Sequence, residues 1–226
     1  MNFDLNKKTL REVNQHLQNI SRENNARKFE ILNPQGQHAI CAGLNNDIDV
    51  TIKGHTGYYC AGMNQKANVT VHGNVGTGVA ENMMSGKIIV KGNASQSAGA
   101  TGHGGALIIE GDASSRCGIS MKGINIVVKG SVGHMSAFMA QKGNLVIMGD
   151  ADADLGDSIY EAKIFVKGKV KSLGSDCVEK KMDQKNIDEL AKLFKELGIK
   201  EDAKKFRRYG SSRNLYNFKI DNVGAY

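Results

Sequence analysis

The chain has 226 residues, of which 27 are glycine and only one is proline. Average proteins contain about 7% glycine and about 5% proline, and flexible or collagen-like chains are enriched in both. Glycine without proline excludes those classes and predicts a regular fold that repeatedly needs the missing side chain or the positive φ of glycine. Of the net charge of +7, a large share lies in residues 178–226, with twelve Lys or Arg against eight Asp or Glu. Because these acids and bases are interleaved, we expect a solvated surface and no nucleic-acid partner.

The four cysteines, Cys41, Cys60, Cys117 and Cys177, form no C-x-x-C pair, and the first residues lack an apolar signal segment. This usage is typical of a protein in a reducing compartment, so we expect a cytoplasmic location. The apolar runs fall far below the roughly 18 residues that a membrane span requires. We therefore expect no membrane partner.

The first predicted element is a short amphipathic helix within residues 1–32, which we interpret as an N-terminal helical cap. Thr9 and Glu12 have the spacing of a capping box at its start. The apolar residues of this helix of about 11 residues fall on one face: Leu10, Val13, Leu17 and Ile20. One apolar face is what a helix needs to cover the open end of a solenoid.

The next part of the chain, residues 33–177, is organised by a repeat of 19 residues. Seven glycines occur at this spacing without an insertion or a deletion: Gly54, Gly73, Gly92, Gly111, Gly130, Gly149 and Gly168. We call them the anchor glycines and number the positions of each repeat from them. The residues four and two places before every anchor glycine are Val, Ile or Leu, which puts both side chains on one face of a strand. Position 2 is small or β-branched in every repeat, and position 7 is Ala, Gly or Ser.

One strand per 19-residue repeat predicts an all-β fold, a right-handed parallel β-helix of about seven coils with short helical segments at both ends. Helical repeats are excluded by the single strands and the abundant glycine, and left-handed hexapeptide helices by the lack of a six-residue period. Proline would remove a ladder hydrogen bond from any coil that it entered. The small residues at position 7 predict a narrow interior corner, where Gly99→Leu or Gly118→Leu would cost roughly 1–3 kcal/mol.

An extra, imperfect coil is predicted to begin near Gln35, with Gly36 one position out of register. Its sequence Cys41-Ala-Gly-Leu-Asn matches Cys60-Ala-Gly-Met-Asn at the same 19-residue spacing. This alignment puts Cys41, Cys60 and Cys117 in one column and predicts that Cys41 and Cys60 lie in adjacent layers. We interpret them as packed interior thiols, with metal or redox use as the alternative.

Residues 178–226 are predicted to form a helical, basic cap and tail. Asp183 is the expected N-cap of a second helix, and Gly198 is its stop. The apolar stripe of this helix consists of Ile187, Leu190, Phe194 and Leu197. A third short helix is expected over residues 201–209, followed by an aromatic, basic tail over residues 210–226. These segments are expected to cap the solenoid, to dock partners, or to do both.

The sequence contains no motif of a nucleophile elbow and no Walker lysine loop. The glycine-rich residues 73–78 are not followed by a helix pattern, so they do not predict a phosphate site. The stacking also predicts no metal cluster, because the histidines share no column: His55, His72, His103 and His134. We therefore predict no catalytic, cofactor-binding or metal-binding residue in this chain.

An acidic run imitates a calcium loop, with Asp150, Asp152 and Asp154 followed by Glu161. Leu155 occupies the place where the turn of that loop requires glycine, and the run lies within a regular repeat. We interpret it as a solvated, alternating acidic strand.

Two groups of segments carry a family resemblance. The first group is Gly54-His-Thr-Gly57, Gly73-Asn-Val-Gly76 and Gly130-Ser-Val-Gly133, with residues 61–63, 82–86 and 136–139. These segments resemble the GXGXG domain, which is the C-terminal β-helix of the glutamate synthase large subunit and also occurs in one of the chains of formylmethanofuran dehydrogenase. The match covers roughly residues 33–177. The second group, Phe206-Arg-Arg-Tyr-Gly-Ser and the terminal Asp221-Asn-Val-Gly-Ala-Tyr, is similar to the stand-alone form of the domain.

The resemblance implies a noncatalytic structural subunit of a split glutamate synthase or N-methylglutamate synthase, which is an oxidoreductase complex. It implies that this chain holds no cofactor and braces a class II glutaminase subunit and a synthase subunit with FMN and an iron–sulfur cluster, helping to position the ammonia route between them. The sequence agrees, because it has no cysteine directly after Met1 and no cysteine trio at cluster spacing. Two alternatives are the β-helix chain of a formylmethanofuran dehydrogenase-like complex and a stand-alone β-helix hydrolase or lyase. The amine acceptor, the stoichiometry and self-association stay open.

Overall fold

Strands from almost the whole length of the chain form one sheet of eleven strands. A computed structural model describes residues 1–20 and 27–213. The strands are β1 Asn2–Asp4, β2 Lys28–Leu32, β3 Asp49–Lys53, β4 Asn68–Val71, β5 Lys87–Val90, β6 Ala106–Ile109, β7 Lys122–Val128, β8 Lys142–Ile147, β9 Lys163–Val166, β10 Cys177–Lys180 and β11 Arg207–Ser211. The helices are α1 Leu10–Gln18 and α2 Gln184–Leu197, with a 3₁₀ turn over Ala203–Lys205.

Strands β3 to β9 confirm the predicted parallel β-helix of seven coils. Each pairs in parallel with the next at a 19-residue offset, so that Val50 lies beside Val69 and Val69 beside Ile88. The two aliphatic residues before each anchor glycine are buried in the lumen in every coil. A second ladder of bridges connects position 2 of successive coils, from Thr56 and Val75 to Ala151 and Val170. Stacking like side chains in this way fills a narrow core without large aromatic residues.

The anchor glycines are required by space rather than by backbone conformation. Among the seven, Gly54 has a φ in the left-handed region, and the other six do not. A Cβ at Gly73 would lie 2.6 Å from the carbonyl carbon of Gly54, and a Cβ at Gly111 would overlap Asn93 Oδ1. The backbones of adjacent anchor glycines are hydrogen-bonded, for example through Gly92 N–H and Gly73 O at 3.2 Å. At these anchors the repeat therefore uses the missing side chain of glycine.

Left-handed backbone is instead concentrated at positions 5, 7 and 9 of the six coils from Gly54 to Gly149, and most residues there are not glycine. In the coil of Gly130, for example, Met135, Ala137 and Met139 have φ values of 54°, 59° and 51°. Position 7 is the predicted narrow corner, and its residues are buried from Ala61 through Gly156. A Cβ at Gly99 would lie 2.5 Å from Ile126 Cδ1, so the corner is interior as predicted.

The first coil is longer than the predicted 19 residues, and this corrects the position of Cys41. Its strand β2 pairs with β3 at an offset of 21 residues. The following turn is offset by 20, because the bond from Ala61 N–H to Ile40 O spans one residue more than the matching bond of the next coil, from Ala80 N–H to Cys60 O. Ile40 therefore stacks beside Cys60, and Cys41 falls in the column of Ala61. The match between the pentapeptides at Cys41 and Cys60 was misleading. The first coil stacks on a regular coil on one side only, so its length is not constrained to 19 residues. Pro34 stacks against Gly54, at the place of an anchor.

The last coil is one residue shorter than predicted. Leu155 pairs with Leu173 at an offset of 18, and Gly174 N–H donates to Leu155 O at 3.0 Å. Gly174 therefore continues the column of Gly156. Ser175, which the 19-residue register assigned to this column, is exposed.

Helix α1 covers the open N-terminal end of the lumen. Thr9 is its N-cap, and the predicted capping box with Glu12 is present. Val13 and Leu17 are buried against the first coil. The segment also supplies strand β1, which pairs with β2 in parallel and was not predicted.

Helix α2 begins after Asp183 and ends at Gly198, as predicted, but it lies on the flank of the β-helix and not on its end. Its residues Leu190 and Phe194 pack on the outward-facing side chains of β7, β8 and β9: Val127, Val146 and Phe165. These strands have apolar residues on both faces, which is why they need this cover.

The predicted third helix over residues 201–209 is wrong. Only Ala203–Lys205 form a helical turn, and β11 follows at Arg207–Ser211. Strand β11 inserts between β9 and β10 and is antiparallel to both. It ends the parallel ladder of the coils. Of the predicted tail, residues 214–226 lie outside the described residues.

Candidate partner-binding surface

A ladder of polar side chains runs along one edge of the β-helix, at position 1 after each anchor glycine. His55 Nδ1 accepts a hydrogen bond from Asn74 N–H at 2.9 Å, and Asn74 Oδ1 accepts one from Asn93 N–H at 2.9 Å. The same bond continues through Asn93, Asp112, Ser131 and Asp150 to the N–H of Lys169. The ladder was not predicted, although position 1 is polar in all seven repeats. These side chains connect coils and are engaged with the backbone.

The acidic run that imitates a calcium loop is part of this same edge. Asp150 Oδ1 accepts the Lys169 N–H at 2.7 Å, and Asp152 Oδ1 pairs with Lys171 Nζ at 2.8 Å. The hydrogen bond from Lys171 lowers the pKa of Asp152. Asp154 and Glu161 are exposed. Asp150 and Asp152 thus bond to the next coil, beside a depression lined by residues from Ser131 to Lys171.

The four cysteines are free and buried. Burial raises the pKa of Cys60 to about 11 and that of Cys117 to about 12, so both are protonated thiols at neutral pH. Cys60 and Cys117 occupy position 6 of their coils and face the lumen. Such thiols pack as small apolar side chains.

The four histidines that were predicted to share no column lie apart from one another. His72, His103 and His134 are exposed at three different positions of their coils, whereas His55 begins the polar ladder. His38, which the sequence analysis did not consider, stacks on Tyr58 with ring centroids 4.4 Å apart, and its Nδ1 accepts the Tyr58 N–H. Across residues 1–20 and 27–213, no three His, Cys, Asp or Glu side chains are grouped to hold a metal ion.

The outward face of the sheet is charged in its middle coils. Glu110 Oε1 lies 3.0 Å from Lys91 Nζ and 2.9 Å from Lys129 Nζ, on the strands to either side. Hydrogen bonding, above all from Lys129, lowers the pKa of Glu110. Further along, Lys163 and Lys167 pair with Glu189 on α2 and Glu201 after it. This face is therefore occupied by its own ion pairs and by α2.

A different edge exposes large apolar side chains. They are Met63, Met84, Met139 and Tyr160, at positions 9 and 11 of their coils. We call these four residues the methionine stripe. They are between 39% and 56% exposed, and Ile119 and Phe138 lie half-buried at position 8 between them.

The methionine stripe has the chemistry of a binding surface. Exposed clusters of large apolar residues mark sites of interaction, and flexible methionine side chains adapt to the surface of a partner. In the two coils between Met84 and Met139, positions 9 and 11 carry Thr101, His103, Ser120 and Lys122. The stripe was not predicted, because the inward positions of the repeat were the basis of the predicted fold. The signal was available as methionine or tyrosine at positions 9 and 11.

The described residues, 1–20 and 27–213, contain no helix with the length and apolar character needed to cross a bilayer.

Comparison with known proteins gives two matches. The family model described as GXGXG motif matches residues 2–219. Protein GlxC of Rhizobium meliloti (strain 1021) is 56% identical over 225 residues, which are 99% of this chain and 99% of that protein. The family match extends beyond the regular coils and takes in both end segments of the β-helix.

Proposed function

Because the chain belongs to the GXGXG family, whose β-helix is related to glutamate synthase, we propose that it is a noncatalytic structural subunit of a split glutamate synthase-type complex. In this proposal it braces a class II glutaminase subunit and a synthase subunit that carries FMN and an iron–sulfur cluster. The methionine stripe is the observation that carries the proposal, because its four large apolar side chains are exposed, as they would be at a surface that binds another chain.

The architecture suits a brace. Every regular coil is tied to the next by strand pairing, by the position 2 bridges and by the polar ladder. Three parallel sets of bonds resist bending of one coil against another, so surfaces far apart along the axis keep their relative position. A subunit that holds two catalysts at a fixed separation needs this property. The ammonia route between such catalysts would depend on it.

The test is coexpression with a class II glutaminase chain and a flavin synthase chain. We expect a complex that survives size-exclusion chromatography and produces glutamate or N-methylglutamate, whereas the isolated chain turns over neither glutamine nor 2-oxoglutarate. In the complex, Met84→Glu or Met139→Glu is expected to weaken binding of this subunit by more than tenfold, or about 1.4 kcal/mol. The matched control is His72→Glu, an exposed position on the outward sheet face.

Each outcome is informative. Equal weakening by His72→Glu and Met84→Glu would refute the role of the stripe while leaving the complex in place. Copurification with molybdopterin-containing subunits instead would refute the glutamate synthase assignment and support the formylmethanofuran dehydrogenase-like alternative. Glutaminase or synthase turnover by the isolated chain would refute the noncatalytic role.

A further inference from the structure

The lumen of the first regular coil is polar, in contrast to the coil that follows it. Thr56, Cys60 and Asn64 occupy its inward positions 2, 6 and 10. The same positions in the next coil are all apolar, with Val75, Val79 and Met83. On the other side, Ile40 and Leu44 of the first coil pack beside Cys60 and Asn64. A polar layer is thus enclosed between two apolar layers.

Two oxygen atoms in this layer have no hydrogen-bond partner within residues 1–20 and 27–213. They are Thr56 Oγ1 and Asn64 Oδ1, in side chains that are 5% and 0% exposed. The thiol of Cys60 lies beside the Thr56 hydroxyl. A buried polar atom without a hydrogen bond costs about 1–3 kcal/mol, and in proteins an ordered water commonly satisfies it.

The orientation of the Asn64 amide is fixed by its other bonds. Its Nδ2 donates to Ala67 O at 2.9 Å and to Ser85 O at 2.8 Å. A flipped amide would place Oδ1 against these two carbonyl oxygens, so the oxygen must be the atom left without a donor. The side chains stacked on Asn64, Leu44 and Met83, have no group that could donate a hydrogen bond.

We propose that the lumen of this coil is a binding site for an ordered internal water molecule, which donates a hydrogen bond to Asn64 Oδ1. A metal ion does not fit the layer, because Thr56 and Asn64 are neutral and burial keeps Cys60 as the thiol. A small neutral donor suits the chemistry of the layer, since it can satisfy the amide oxygen without adding charge to the lumen.

A crystal structure of the unmodified protein at better than about 1.5 Å resolution tests the proposal directly. We expect density for one water oxygen about 2.7–3.2 Å from Asn64 Oδ1. A protein donor at that atom, or a dry void beside it, would overturn the proposal.

Magnetic relaxation dispersion of water ¹⁷O gives an independent count of long-lived internal waters in solution. Asn64→Met, which copies Met83 of the next coil, is expected to remove one such water. The control Asn82→Met makes the same change at an exposed position and is expected to remove none. An unchanged count in folded Asn64→Met would contradict the proposal, and the crystal structure decides the matter if that variant does not fold.

Discussion

At the scale of single residues, two kinds of position account for the unusual glycine content. Anchor glycines such as Gly111 have no room for a Cβ, because the polar side chain of the preceding coil and the backbone of the preceding anchor occupy that space. Positions 5, 7 and 9 have left-handed backbone, which favours glycine but is adopted here mostly by other residues. At the anchor glycines a Cβ has no space. At positions 5, 7 and 9 a residue other than glycine is tolerated, with a backbone strain of about 1–2 kcal/mol.

Gly111→Ala is expected to destabilise the fold by roughly 1–3 kcal/mol. Its new methyl group would displace Asn93 Oδ1 from the N–H of Asp112, a bond of 2.9 Å in the polar ladder. The free energy of unfolding in urea measures the effect. The control is Gly62→Ala, at a buried glycine where the nearest atom lies 3.4 Å from the added Cβ. Similar losses for both variants would show that the polar ladder is not the cause.

Ala137→Gly and Ala140→Gly test the left-handed backbone. Both alanines are fully buried in one coil, but only Ala137 has a positive φ, of 59°. Each change removes a buried methyl group and adds freedom to the unfolded chain, a loss of about 1–2 kcal/mol in total.

Ala137→Gly also relieves the strain of the left-handed backbone, which should offset about 1–2 kcal/mol of this loss of stability. Ala140→Gly has no such strain to relieve. We therefore expect Ala137→Gly to be nearly neutral and Ala140→Gly to be destabilising, as measured by thermal and urea unfolding. Equal destabilisation by the two changes would refute the assigned strain.

At the scale of elements, the ends of the β-helix are closed in two different ways. At the N-terminal end, side chains of α1 replace the missing coil: Asn14 Nδ2 donates to Ala39 O at 2.9 Å, and Asn14 Oδ1 accepts Cys41 N–H at 3.0 Å. Gln18 Nε2 likewise donates to Ala42 O at 2.8 Å. At the C-terminal end, β11 and β10 close the ladder by antiparallel pairing. Both solutions satisfy the backbone groups that an open solenoid would leave unpaired.

Asn14→Ala is expected to cost about 1–3 kcal/mol, because it leaves the Cys41 N–H without a partner. It also removes one of the two hydrogen bonds to Ala39 O, which keeps the bond from Ala42 N–H. The matched control is Gln15→Ala, at the next position of α1, where the side chain is exposed. Hydrogen exchange at the Cys41 amide should rise sharply in Asn14→Ala. Unchanged protection of that amide would mean that α1 closes the end through Val13 and Leu17 alone.

At the scale of the whole molecule, each coil contacts chiefly its neighbours, so the fold is a one-dimensional stack. Its faces differ in what they leave free. The outward sheet face bears ion pairs and α2, one edge bears the polar ladder, and the other edge bears the methionine stripe. A partner that approaches the stripe meets apolar side chains without displacing any of these bonds, which is why we assign the partner contact to it.

The sequence by itself determined the β-helix, because a strict 19-residue period leaves one way to place seven pairs of aliphatic residues in one lumen. It also determined α1 and α2, since both carry their capping residues at Thr9 and Asp183. What the tertiary structure decided are the features that depend on contacts between distant segments. The lengths of the first and last coils, the column of Cys41 and the flank position of α2 follow from what each segment packs against. A periodic pattern fixes the repeating unit, but the ends and the surfaces of a stack are set by neighbours that the period does not describe.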